Sequence, residues 1–277
     1  KLAIEKTTGQ LVKIILVLLL CWPISGYSQN ESARTLFADN KAAILQIRII
    51  DITSGSKSVI GSGFVVDDQG LIATNYHVVQ IAASKPDQYR IEYLAFGGKT
   101  GDLQLVDVDV ANDLALVRAS DLTSDALPLS LALAEPAIGM PVFALGNPLD
   151  LGLTVVPGTY NGVNQTSYHP RVHFTGSLNS GMSGGPTLSE GGQVVGINVS
   201  SAGNQVSFLV PVTALQTLIS EYQSRGGAVA DMTQRIGQQL LTDQEQKFTA
   251  LLAMEWPTMP LGEAQVIEEL KPFVKCW

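Results

Sequence analysis

Gly63-Phe64-Val65-Val66-Asp67-Asp68-Gln69-Gly70-Leu71-Ile72-Ala73-Thr74-Asn75-Tyr76-His77 decides how the chain is read. Two apolar runs flank a polar turn closed by Gly70, which makes strand, turn and strand. The same reading extends outward on both sides. Residues 44–50, 58–66, 71–73, 89–96, 101–109 and 114–118 form a first set of candidate strands. Residues 141–145, 153–163, 171–175, 187–189, 193–200 and 205–211 form a second. Between them, 122–136 lacks period-2 alternation and carries Pro128 and Pro136, so it reads as a crossover. The expected fold is all-β, with two antiparallel six-stranded barrels. Val212, Leu215, Leu218, Ile219 and Tyr222 then take helical spacing, so a helix over 212–223 closes the domain.

Three segments carry chemistry. Gly181-Met182-Ser183-Gly184-Gly185-Pro186 holds a serine between glycines, which turn backbone N–H groups toward one point. His77 ends an apolar strand, and Asp113 stands before the buried-looking run Leu114-Ala115-Leu116-Val117. Taken singly, each has a plainer reading: a turn, a satisfied core imidazole, a turn-forming aspartate. Together they supply His, Asp and Ser in that chain order. A serine hydroxyl is a poor nucleophile until a base takes its proton, and an aspartate fixes the tautomer of that base. In this arrangement His77 and Asp113 come from the first barrel and Ser183 from the second, so the site forms where the barrels meet.

Over residues 35–222 the chain resembles the trypsin-like serine proteases, and among them the HtrA/DegP type. Thr74-Asn75-Tyr76-His77-Val78-Val79 resembles the histidine motif of that family, and Asn112-Asp113-Leu114-Ala115-Leu116 its aspartate motif. Ala144-Leu145-Gly146-Asn147-Pro148 resembles a Gly-Asn-Pro segment of its second barrel. Asn179-Ser180-Gly181-Met182-Ser183-Gly184-Gly185-Pro186 resembles its nucleophile loop, and 194–198 and 206–211 its closing strands. The resemblance implies the chymotrypsin-like two-barrel fold and cofactor-free hydrolysis of polypeptides in extracytoplasmic quality control. His77 would be the base, Asp113 its orienting partner and Ser183 the nucleophile. The N–H groups of Gly181 and Ser183 would form the oxyanion hole.

By the same resemblance, a specificity pocket is expected around Ser177, Leu178, Asn179, Met182, Asn198, Val199 and Ser200. No acid lies in those stretches, so small or medium apolar side chains are expected there rather than Lys or Arg. Met182 departs from the family, which usually has asparagine before the serine; its side chain is expected near the substrate path. After residue 222 nothing resembles the peptide-binding PDZ domain that many relatives append.

The ends read differently. Lys1, Lys6 and Lys13 precede the apolar run 14–22, and Gly26 and Ser28 follow, which is a secretory signal pattern over 1–28 or an uncleaved membrane tether. Periplasmic or secreted localisation follows. Cleavage after Ser28 would leave Cys276 as the one cysteine, so no internal disulfide supports the mature domain over 29–223. Residues 224–277 are expected to be a helical extension: a hinge at 225–228, a helix over 231–254, and another over 262–274 beyond Pro257 and Pro260. It would pack on the domain or mediate homo-oligomer assembly.

Composition excludes some classes. Charged residues are 15% and hydrophobic ones 45%, with 26 glycines, which disfavours disorder and a helical bundle. A net charge of −8 without a basic block argues against nucleic acid as partner. His169 and His173 read as surface or core residues rather than a zinc pair, because Pro170 interrupts any helix between them. The Asn-x-Ser/Thr triplets at Asn30, Asn164 and Asn198 read as chance in a bacterial host. Gly61-Ser62-Gly63 is only faintly like a phosphate loop and reads as a close barrel turn. Two other classes stay open at this level: a protease-fold binding or chaperone-like module with weak catalysis, and a membrane-tethered assembly subunit.

Overall fold

Strand β1 (Ile44–Asp51) shows why the first half closes on itself. Leu45, Ile47 and Ile49 are fully buried on one face. Gln46 and Arg48 take the other, where Arg48 donates to Gln46 Oε1 at 2.6 Å and pairs with Glu92 at 3.5 Å. That alternation is the signature of a strand with one face on a core. The computed structural model describes residues 29–122, 126–164 and 167–268. Contacts divide the chain into two units, 1–32 and 33–277. Of the first unit, only the opening turn of helix α1 (Gln29–Asn40) is described. The expected leader over 1–28, with its apolar run, lies outside the described residues. No helix among the described residues is long and apolar enough to cross a membrane.

The second unit holds two closed antiparallel barrels of six strands each. The first contains β1, β2 (Lys57–Val65), β3 (Leu71–Thr74), β4 (Tyr89–Leu94), β5 (Thr100–Asp109) and β6 (Leu114–Ala119). The second contains β7 (Pro141–Gly146), β8 (Thr154–Val163), β9 (Val172–Phe174), β10 (Pro186–Ser189), β11 (Val194–Gly203) and β12 (Val206–Pro211). Around the rings the orders are β1-β2-β3-β6-β5-β4 and β7-β8-β9-β12-β11-β10, the same connectivity twice. Closure leaves no unpaired sheet edge in either half. The crossover between barrels is held to both: Leu129 N–H donates to Val65 at 2.9 Å, and Ala132 N–H to Val194 at 2.9 Å.

Helix α2 (Tyr76–Ser84) follows β3 directly and buries Val78, Val79 and Ala82. His77 therefore sits in the first turn of a helix rather than at a strand end. Helix α3 (Val212–Arg225) buries Val212, Leu215, Leu218 and Tyr222 and stops at Gly226, whose φ of 76° suits a residue without Cβ. Helix α4 (Met232–Ala253) begins at Asp231, whose carboxylate accepts the Gln234 N–H at 2.9 Å.

The extension is not helical throughout. Where a second helix was expected from 262, β13 (Thr258–Leu261) pairs with β14 (Ala264–Ile267) in a hairpin. The reason is Gly262, at φ 65°, which with Glu263 makes a two-residue turn between Leu261 and Ala264. Residues 269–277 of that expected helix lie outside the described residues.

Helix α4 has no fully buried residue; Met232 and Ile236 pack partly buried on the core, and polar contacts dock the rest. Arg225 and Arg235 both pair with Asp107 of β5, itself fully buried. Gln239 Nε2 donates to the Val108 carbonyl at 2.7 Å, and its Oε1 accepts the Val110 N–H at 2.9 Å. Asp107→Ala takes the carboxylate from Arg225 and leaves Arg235 with Glu221 alone. Because Arg225 and Arg235 remain 34% and 24% exposed, the cost is discounted from that of a wholly buried pair. The expected loss is about 2 kcal/mol. A thermal melt should show it as a fall of about 4–8 °C.

Candidate active site

Asp113 lies in the β5–β6 loop with φ 64°, a left-handed conformation that aspartate tolerates better than most residues. Asp109 shapes that loop by accepting from the Asn112 N–H (3.0 Å) and Nδ2 (2.7 Å). The loop then meets the start of α2. The Asp113 carbonyl accepts the Tyr76 N–H at 3.2 Å and Asn75 Nδ2 at 2.8 Å. Its Oδ1 accepts the His77 N–H at 2.9 Å, and its Oδ2 lies 2.7 Å from His77 Nδ1. Asn75 makes no side-chain cap to its own helix, so Asp113 caps it from another loop. A carboxylate can only accept, so the proton of this pair sits on Nδ1. That leaves the Nε2 lone pair of His77 outward, as a base requires.

Ser183 lies in the β9–β10 connection. Gly181 and Gly184 on either side have φ of 94° and 84°. A Cβ on Gly184 would run into the Ser62 carbonyl and Thr74 Oγ1, so the loop presses against the strand end that leads to His77. Gly61 lies between the Val78 side chain and the Ser183 carbonyl, 3.2 Å from where its Cβ would be. The structure thus brings all three expected residues to the seam of the barrels. Ser183 Oγ donates to the Val199 carbonyl at 3.3 Å, and no hydrogen bond joins it to His77 among the described residues.

The loop carbonyls are held one after another. Ser180 accepts from the Leu149 N–H at 2.9 Å. Gly181 accepts from Ser62 Oγ at 2.8 Å. Met182 accepts from the Gly185 N–H at 3.0 Å and Asn198 Nδ2 at 3.3 Å, and Ser183 from the Ser62 N–H at 2.7 Å. In a trans peptide the N–H points opposite to its carbonyl. Holding the Ser180 and Met182 carbonyls therefore aims the N–H groups of Gly181 and Ser183 the other way. Neither N–H has an acceptor among the described residues. Two such donors side by side suit an oxyanion.

A cavity of about 150 Å³ opens beside Ser183. Leu178, Asn179, Ser180, Val199, Ser200 and Ser201 line it with Ser183. Its lining carries no charged group. Three expectations need correction. Ser177 is exposed and does not line the cavity. Met182 is wholly buried: its N–H donates to the Asn179 carbonyl at 3.0 Å, and its Cβ packs at Gly146, turned away from any substrate path. Asn198 is also wholly buried, with Thr187 Oγ1 donating to its Oδ1 at 2.7 Å and its Nδ2 donating to Leu145 at 3.0 Å. It supports the loop from behind instead of touching substrate.

Several contributors escaped the sequence reading. Ser62 and Leu149 leave no local pattern. Tyr76 lies beside the acid; burial, then the Asp113 charge, hold its phenol above the ordinary value. Arg171 faces Asp113 and Asp109; burial pulls its guanidinium below the usual value, against their attraction. His169 pairs with Asp243 of α4 at 3.1 Å, while His173 sits on β9 beside Phe208.

Known proteins are similar to this chain in sequence and fold. The trypsin-like peptidase domain matches residues 61–197. Serine protease HTRA1B of Danio rerio is 31% identical over 192 residues, 66% of this chain and 39% of its own length. The probable periplasmic serine endoprotease DegP-like of Chlamydia trachomatis serovar D is 29% identical over 201 residues, 67% of this chain and 39% of its own. The chain thus spans about two fifths of the curated relatives it matches. Among solved structures, the serine endoprotease from Yersinia pestis superposes with a TM-score of 0.59 at 28% identity, covering 70% of this chain and 67% of that one. Deg5 gives 0.60 at 24% identity, a likeness of fold. With the doubled barrel topology and the shared motifs, these matches support an HtrA-type trypsin-like serine protease.

Proposed function

We propose that the chain is a serine endopeptidase that cleaves unfolded or damaged extracytoplasmic polypeptides with Ser183, His77 and Asp113. The observation that carries this is the Asp113 carboxylate. One oxygen caps the helix that bears His77, and the other fixes the imidazole proton on Nδ1. Ser183 Oγ turns from Val199 toward His77 Nε2 when substrate enters, and attacks the scissile carbonyl as His77 takes its proton. The Gly181 and Ser183 N–H groups hold the oxyanion, each contributing about 3 kcal/mol. His77 then protonates the leaving amine. Water, deprotonated by His77, hydrolyses the acyl-enzyme, and no cofactor enters the cycle.

The small, uncharged cavity selects the residue before the scissile bond. Digesting a reduced, unfolded protein and sequencing the products by mass spectrometry should show cuts after small or medium neutral residues. Dominant cutting after Lys or Arg contradicts this, since no carboxylate lines the cavity to meet a cation. A second reading draws on the Ser183–Val199 hydrogen bond: a protease-fold binding module in which the hydroxyl stays turned from the base. Such a module would bind the unfolded protein and leave it uncut.

A further inference from the structure

Ser62, in the Gly61-Ser62-Gly63 segment of β2, has no part in the triad, yet every polar atom it has is committed to the site. It is wholly buried. Its N–H donates to the Ser183 carbonyl at 2.7 Å, and its carbonyl accepts Thr74 Oγ1 at 2.7 Å, three residues before His77. Its Oγ lies 2.8 Å from the Asn147 N–H and 3.4 Å from Asn147 Nδ2, both of which can only donate. A hydroxyl has a single proton, so that proton must go to the remaining neighbour, the Gly181 carbonyl at 2.8 Å.

The Gly181 carbonyl belongs to the one peptide unit between the Gly181 and Ser183 N–H groups, neither of which has an acceptor among the described residues. The second barrel holds the units on either side, through Leu149, Gly185 and Asn198. The middle unit is held at its N–H by the Asn179 carbonyl within the loop (3.0 Å), and its carbonyl is held only from the first barrel, by Ser62. Its first residue is glycine at φ 94°, the residue type for which reorientation costs least. We propose that Ser62 is a positioning residue that keeps the Gly181 and Ser183 N–H groups convergent, so that the packing of one barrel on the other sets the oxyanion hole. The proposal rests on the endopeptidase reading. The two flanking glycines serve it: a Cβ on Gly61 would collide with Val78 at 2.6 Å, and one on Gly63 with the Ala73 carbonyl at 2.9 Å.

The test uses the 277-residue chain with Ser62→Ala and Ser62→Cys, the latter keeping volume with a weaker donor. A peptide substrate gives kcat and KM. A peptide boronate, whose adduct on Ser183 places an oxygen in the hole, gives a transition-state affinity. Ser62→Ala should lower kcat and boronate affinity together by about 30-fold, less than the 10² to 10³ that follows removal of a hole donor itself. KM should stay within about twofold. Ser62→Cys should fall between, and where the alanine variant does not fold, the cysteine variant is judged by the same criteria. A kcat within about twofold of the parent overturns the proposal, as does a fall in kcat without a fall in boronate affinity. If Ser183→Ala cleaves as well as the parent, the endopeptidase reading fails and takes this inference with it. If Ser183→Ala is dead while Ser62→Ala is unimpaired, this inference alone fails.

Discussion

Ser183→Ala should lower peptide cleavage by about 10⁵ to 10⁶-fold while the fold stays intact. The size follows from what the hydroxyl does. Without Oγ there is no acyl-enzyme, and what remains is the hole and the binding cleft acting on bulk water. The fold survives because Oγ makes a single hydrogen bond, to Val199 at 3.3 Å. Such a bond contributes about 1 kcal/mol or less. The melting temperature should therefore stay within about 2–4 °C of the parent, and backbone carbonyl contacts keep the loop in place. Steady-state kinetics on an unfolded protein, with a thermal melt on the same samples, checks both halves. Residual cleavage above a thousandth of the parent rate would mean another nucleophile.

Asp113→Asn should lower kcat by about 10⁴-fold. Asparagine also tolerates the left-handed backbone at this position, where φ is 64°. Its amide oxygen can still accept the His77 N–H that Oδ1 accepts at 2.9 Å, so α2 stays capped. The change falls on the other oxygen. An NH₂ group facing Nδ1 must donate, which forces the imidazole proton onto Nε2 and leaves no lone pair for the Ser183 proton. Binding of a non-cleaved peptide should be unaffected. A kcat within tenfold of the parent would show that Asp113 only caps the helix. An equal loss in peptide affinity would show that the loop had collapsed.

Much of the fold was legible because barrel strands declare themselves locally. Leu45, Ile47 and Ile49 alternate with Gln46 and Arg48, and the three candidate catalytic residues stand in short motifs just outside strands. The misreadings share a cause: along a tight loop, neighbouring residues face opposite ways, and only long-range partners decide which. Met182 directly precedes Ser183, which lines the cavity, yet it is buried with its Cβ at Gly146. Asn198 was read as a cleft residue, while its amide is spent on Thr187, Leu145 and Met182. Ser62 looked like part of a turn because its hydroxyl partner, Gly181, is 119 residues away. Helix α2 starts after Asn75, a residue type suited to capping, but that amide goes to the Asp113 carbonyl and the cap is the Asp113 carboxylate, 36 residues beyond His77. At the C-terminal end, the apolar positions Val266 and Ile267 fitted a helix and a strand equally, and the Gly262 turn decided for the hairpin.

The central claim is that base and acid activate one particular hydroxyl at the seam between the barrels. Treating the chain with a fluorophosphonate and mapping the adduct by peptide mass spectrometry tests it most directly. The account predicts a single adduct, on Ser183, forming far more slowly in Asp113→Asn. No adduct, or one on another serine at the same rate in both proteins, would contradict it.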